Sequence, residues 1–130
     1  MIPEIKIKVK IEGLSEATSV QYSNEVYQNL HGLFDEDTVY YQEQMIVLFM
    51  NSFMKVIAYK RISTGGISSA IVDNRIILMH ALMVPGCIGM ILAHNHPSGN
   101  TQPSENDIKR TEHLREAGDI VGITLHDHII

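Results

Sequence analysis

Between Ile5 and Glu12 apolar and charged residues alternate without a break, Ile5-Lys6-Ile7-Lys8-Val9-Lys10-Ile11-Glu12. A period of two predicts a strand with one buried face. Lys6, Lys8 and Lys10 would line the other face, as on a solvated edge strand that lysines protect from pairing with other chains; a small basic contact surface is the alternative. Gly13-Leu14-Ser15 ends the strand. From about Ser23 the spacing changes: Val26, Tyr27, Leu30 and Leu33/Phe34 recur at helical intervals behind a Ser-Asn-Glu start, predicting a short amphipathic helix. Asp35-Glu36-Asp37-Thr38 is a polar loop.

Two short apolar runs follow, Gln44 to Asn51 and Phe53 to Arg61, separated by a turn around Asn51-Ser52. This pattern predicts a hairpin of buried strands. Ser63-Thr64-Gly65-Gly66 reads as a turn and Ile67 to Val72 as a short apolar run. Asp73 can cap a helix from about Asn74 to Val84, with Ile76, Ile77, His80, Ala81 and Val84 inward, and Pro85-Gly86 stops it. Cys87 to Ala93 is almost continuously apolar, as in a central strand covered on both faces. His94 to Pro103 is rich in Pro, Ser, Gly and Asn and must be loop. Ser104 opens a second helix ending near Gly118, and Ile123 to Ile130 reads as a last strand. Strand, helix, hairpin, helix, strand, helix, strand describes a layered α/β domain. The sequence stops inside that last strand, so a natural chain continuing past Ile130 is expected.

Composition narrows the class. At 130 residues, 45% hydrophobic and 19% charged, the chain is one ordinary folded domain rather than a disordered one, with no repeat or linker. Its single cysteine, Cys87, rules out an intramolecular disulfide and a four-cysteine zinc cage, which suits a reducing compartment. No apolar run approaches the roughly 20 residues that span a bilayer, and Met1-Ile2-Pro3-Glu4 lacks the form of a secretory signal. A cytoplasmic location without membrane attachment is the expectation. A net charge of -5 argues against a broad nucleic-acid footprint.

Five of the seven histidines lie between His94 and His128. In extended chain, residues two apart point the same way and lie about 6–7 Å apart, so His94 and His96 can converge on one ion at about 2.0–2.1 Å. Asp107, eleven residues later in the first turn of the following helix, can complete a set of two histidines and one carboxylate, leaving a fourth tetrahedral position open. Each part also has a plainer explanation. Ser104-Glu105-Asn106-Asp107 has the form of a capping signature, and loop histidines are often only hydrogen-bonded. A hydrolytic centre further needs a carboxylate base that does not ligate the metal. Glu43, just before an apolar strand, is the attractive candidate, with Glu36, Asp37 and Asp73 as competitors.

Glu43 followed by His94-x-His96-x7-Ser104-x-x-Asp107 resembles the JAMM (MPN+) metalloprotease motif. The longer text His94-Asn95-His96-Pro97-Ser98-Gly99, Pro103-Ser104-x-x-Asp107, Thr111 and Asp127-His128-Ile129-Ile130 is similar to the RadC family of bacterial JAMM-domain proteins. The match covers roughly residues 40–130. The resemblance implies a three-layer, cytidine-deaminase-like α/β fold with a central mixed sheet flanked by helices. It implies one zinc ion held by His94, His96 and Asp107, with Glu43 as general base and Ser104 donating to the oxyanion. The reaction would be hydrolysis of a peptide or isopeptide amide in a protein or peptide substrate. RadC proteins often carry an N-terminal helix-hairpin-helix region; residues 1–39 show none, so a DNA-binding module of that type is not expected here.

Other readings remain beside it: a non-catalytic MPN interaction module, or a DNA-repair and recombination role that the family's name suggests and the charge disfavours. An iron(II) oxygenase uses a similar ligand set, though nothing suggests a cosubstrate site. A nucleobase deaminase needs Pro-Cys-x-x-Cys, which one cysteine excludes. His126-Asp127-His128 is a second His-x-His, for which an orienting role toward a ligand histidine is the better reading. His80 and His113 read as helix histidines, and Cys87 as a small buried hydrophobe.

Overall fold

The computed structural model describes residues 1–12, 18–19, 30–34, 37, 42–64, 73–97, 99 and 102–130. Among these residues the strands are β1 (Thr18–Ser19), β2 (Gln44–Met50), β3 (Lys55–Thr64), β4 (Gly89–His94) and β5 (Thr124–Ile129), and the fully described α-helices are α1 (Asn74–Met83) and α2 (Glu105–Val121). They form one mixed sheet in the order β1-β3-β2-β4-β5, antiparallel except for the β4–β5 pair.

The apolar runs of β2 and β4 are buried along their whole length because both faces of the sheet are covered. Met45, Val47, Phe49, Met90 and Leu92 alternate onto one face, where Ile77 and Ala81 of α1 and Leu114 of α2 close over them. Ile46, Leu48, Met50, Ile91 and Ala93 take the other face under Leu30, Leu33 and Phe34. This is the expected three-layer α/β arrangement.

Asn51 turns the β2–β3 hairpin, its side-chain oxygen accepting the Phe53 and Lys55 amides at 3.0 and 3.1 Å. Asp73 caps α1 as expected, accepting from the Arg75 amide at 2.9 Å. The buried face of α1 is rotated from the expected one: Ile76 is exposed, while Leu78 packs on the core beside Ile77. Ile76 to Met79 are all apolar, so periodicity offered no contrast from which to choose a face.

Two further expectations are corrected. Residues 5–12 are not a strand. None pairs with a described strand, and Ile5, Ile7, Val9 and Ile11 are exposed. Alternation sorts side chains onto two faces, but a strand also needs a hydrogen-bonded neighbour, and the described neighbour of β3 on the side away from β2 is Thr18–Ser19. Helix α2 does not end at Gly118 but runs three residues further. Gly122, at φ 80°, makes the left-handed stop, with the Ile123 amide returning to the Gly118 carbonyl at 2.8 Å and the Gly122 amide to Asp119 at 3.4 Å. Gly118 is glycine because its Cα faces the Ile123 carbonyl: a Cβ there would lie 2.3 Å from that oxygen. Of the helix expected from Ser23, residues 23–29 lie outside the described residues; Leu30 is helical, and His31–Leu33 continue from it as a 3-10 turn. Gly65, Gly66 and the run Ile67 to Val72 also lie outside them.

Candidate metal centre

His94 closes β4 with its ring nearly buried, and the chain turns out of the sheet just after it. His96, two residues on, returns to the same side. The two Nε2 atoms are 2.8 Å apart. The third member arrives from the start of α2. Ser104 is the N-cap: its Oγ accepts the Asp107 amide at 3.1 Å, and Asp107 Oδ2 accepts the Ser104 amide at 2.8 Å. That same Oδ2 stands 3.5 Å from His94 Nε2 and 3.3 Å from His96 Nε2. Capping and a place in the candidate ligand set, alternatives in the sequence, are therefore compatible: the cap aims the carboxylate at the imidazoles.

The donor set fits a tetrahedral ion. Bonds of about 2.0–2.1 Å imply ligand atoms about 3.3–3.4 Å apart. The two histidine–carboxylate separations match this, and the imidazole pair needs to open by only about 0.5 Å. Among the described residues this is the one group of three or more His, Cys, Asp or Glu side chains able to share an ion. Glu43 and Ser104 lie outside that ligand set.

Electrostatics prepares the required protonation states. Burial, helped by neighbouring His128, pulls His94 down to about 4, and burial likewise lowers His128. Both rings are neutral at pH 7. Burial alone would raise the Asp107 carboxyl, but hydrogen bonding from Ser104 and the nearby His94 and His96 outweigh it and hold Asp107 below the usual carboxylate range. Neutral imidazoles beside an ionised carboxylate are the forms that bind a metal cation.

Two supports surround the cluster: the first, through Asn95, was not legible in the sequence, while the second involves His128, for which the sequence suggested an orienting role toward a ligand histidine. Asn95, between the histidines, accepts the Gln44 amide at 2.7 Å and donates to the Gln42 carbonyl at 2.8 Å. It thereby grips the backbone on both sides of half-buried Glu43, just before the central strand β2. Behind His94 runs a second set of contacts: His94 Nδ1 to His128 Nε2 at 2.6 Å, His128 Nδ1 to Thr111 Oγ1 at 2.6 Å, and Thr111 Oγ1 donating to the Asp107 carbonyl at 2.6 Å. Thr111 lies one helical turn after Asp107, a spacing that would have placed it on the same side of α2.

The second His-x-His does not converge. Register slips between Met90 and Ile91, so that Leu125 and Asp127 are their successive partners on β5 and His126 is the extra residue of a bulge. The alternation resets there, leaving His126 exposed and His128 turned toward His94. Of the competing carboxylates, Asp73 is engaged by Arg75 at 2.9 Å, Asp37 lies in an exposed turn, and Glu36 lies outside the described residues. His80 bonds back to the Ile76 carbonyl, His113 is exposed, and buried Cys87 has its thiol pushed up by burial, as expected of a structural cysteine. No described helix is long and apolar enough to cross a membrane.

Comparison with known proteins agrees with this geometry. The family model of the RadC-like JAB domain matches residues 19–130. A UPF0758 protein of Porphyromonas gingivalis is 43% identical over 89 residues, covering 68% of this chain and 39% of the relative. Another from Flavobacterium johnsoniae is 42% identical over 88 residues, 68% and 38% of the two chains. A third, from Clostridium novyi, is 39% identical over 100 residues, 76% and 43%. The matched part thus spans roughly two fifths of these relatives' length. With the matched segment carrying β2 to β5, both helices and the three-residue cluster, the chain belongs to the RadC-like JAB domain family.

Proposed function

We propose that this domain is a zinc-dependent hydrolase of peptide or isopeptide amide bonds. The observation that carries the reading is the convergence of His94 Nε2, His96 Nε2 and Asp107 Oδ2, three donors and not four among the described residues, on one point at the end of β4. Zinc held there would supply Lewis acidity and a water of near-neutral pKa.

The chain's own residues divide the remaining work. By the alternation of β2, Glu43 falls on the face of Met45 and Val47, the face to which His94 belongs through its pairing with Met45. There Glu43 takes a proton from the attacking water and passes it to the leaving amine. Asn95 holds that position by bonding the backbone on either side. Ser104 uses its oxygen to accept the Asp107 amide, which leaves its hydroxyl proton to donate to the developing oxyanion. A protein or peptide is the substrate class that this chemistry serves.

Metal content of the wild type beside His96→Ala and Asp107→Asn tests the ligand set. One zinc per chain is expected in the wild type and loss in both variants; zinc retained in both overturns the assignment. Hydrolysis of a panel of peptide and isopeptide substrates by the zinc-loaded protein tests the reaction, and zinc uptake with no cleavage across the panel would favour a binding module.

A further inference from the structure

Counting protons through the contacts behind His94 leaves little freedom. Thr111 Oγ1 has one proton and two neighbours, the Asp107 carbonyl and His128 Nδ1. A carbonyl can only accept, so the Thr111 proton goes there and Oγ1 must accept from His128 Nδ1–H. In a neutral His128 the other nitrogen, Nε2, is then a lone pair, and at 2.6 Å it must accept from His94 Nδ1–H. His94 is left with its lone pair on Nε2, the atom facing His96 and Asp107.

We infer that Thr111 and His128 form a tautomer lock: positioning residues that hold His94 as the Nδ1–H form, with Nε2 free to bind a cation. Free histidine favours the opposite, Nε2–H form, so the lock works against the intrinsic preference of the ring. The contacts also close on themselves, because the carbonyl that anchors the lock belongs to Asp107, whose carboxylate is the third member of the cluster. Helix α2 thus fixes the protonation of a histidine on β4 through a side chain of β5. The 2.8 Å contact between His94 and His96 follows in the ion-free protein: His96 Nε2–H donates to the lone pair the lock provides. The role of the lock in binding rests on the zinc reading above; the tautomer itself does not.

The experiment is long-range 1H–15N correlation of the imidazole rings in 15N-labelled protein at pH 7.5 with a chelator present, for the wild type, Thr111→Val and Thr111→Ser. The expected wild-type result is Nδ1–H for both His94 and His128. In Thr111→Val, which keeps the shape and loses the hydroxyl, both rings should shift toward Nε2–H, and Thr111→Ser should restore the wild-type pattern. Zinc affinity, measured by competition with a chromogenic chelator, should fall about 10–100-fold in Thr111→Val and recover in Thr111→Ser. An Nε2–H His94 in the wild type, a doubly protonated His128, or tautomers unmoved by Thr111→Val would overturn the lock. The expected tautomers in a protein that takes up no zinc would uphold the lock and overturn the metal reading.

Discussion

Replacing Gly118 by alanine should destabilise the domain by about 2 kcal/mol, although alanine is the better helix former by about 1 kcal/mol. The opposing strain comes from one contact. An ideal Cβ at residue 118 would sit 2.3 Å from the Ile123 carbonyl oxygen. Clearing the 3.0 Å below which real Cβ atoms are essentially never found takes a movement of at least 0.7 Å. Nothing nearby can give that much. The Ile123 amide is bonded to the Gly118 carbonyl at 2.8 Å, the Ile123 side chain is buried, and the next amide, Thr124, is already tied to the Ile88 carbonyl at 2.9 Å. Overpacking of this kind costs about 1–3 kcal/mol, and a weakened hydrogen bond adds about 1 kcal/mol. Gly89→Ala is the control. Its Cβ would meet His126 Nε2 at 2.6 Å, but that atom is the end of an exposed side chain that can swing away. Urea unfolding followed by far-UV circular dichroism, with a chelator present, should show the full loss in Gly118→Ala and less than about 0.5 kcal/mol in Gly89→Ala. Equal losses in the two variants, or an unchanged midpoint in Gly118→Ala, would refute the reasoning.

Ion-free protein should lose stability in mild acid. His94 is depressed from 6.5 to about 4, so the unfolded chain takes up its proton first; stability is complete above pH 6.5 and declines as pH falls toward 4. The drop is worth about 3 kcal/mol, His128 acts in the same direction, and a urea midpoint flat from pH 7 to 4.5 would count against it. Glu43→Gln should keep zinc while slowing hydrolysis by roughly 10²–10⁴-fold; metal analysis showing lost zinc would make Glu43 a ligand instead. Asn95→Ala should also retain zinc and slow hydrolysis by roughly 10²-fold, since it frees the backbone around the base without touching the ligand atoms. Unchanged cleavage rates would show that Glu43 needs no such grip.

What the sequence made legible depended on local rules. Gln44 to Met50 and Gly89 to His94 declare their two-sided burial by being apolar throughout, and His94, His96 and Asp107 stand at spacings that local geometry can bring together. Where partners decide, local rules fall short. The alternation of residues 5–12 describes a strand's two faces but cannot supply the neighbour that would make one. Asn95 grips residues about fifty positions away, and the extra residue at His126 is visible only against its β4 partners. The helix cap and the candidate metal ligand required no choice between them: a carboxylate oxygen has lone pairs enough to serve both.

That shared oxygen ties together two properties usually considered apart. Asp107 Oδ2 ends the orphan Ser104 amide at the start of α2 and faces the imidazoles at the end of β4. Were a cation held there, fraying of the first helical turn would withdraw one of its three ligand atoms. A cation in place would suppress that fraying, and amide hydrogen exchange at Ser104 would report, from the backbone, whether the centre is filled.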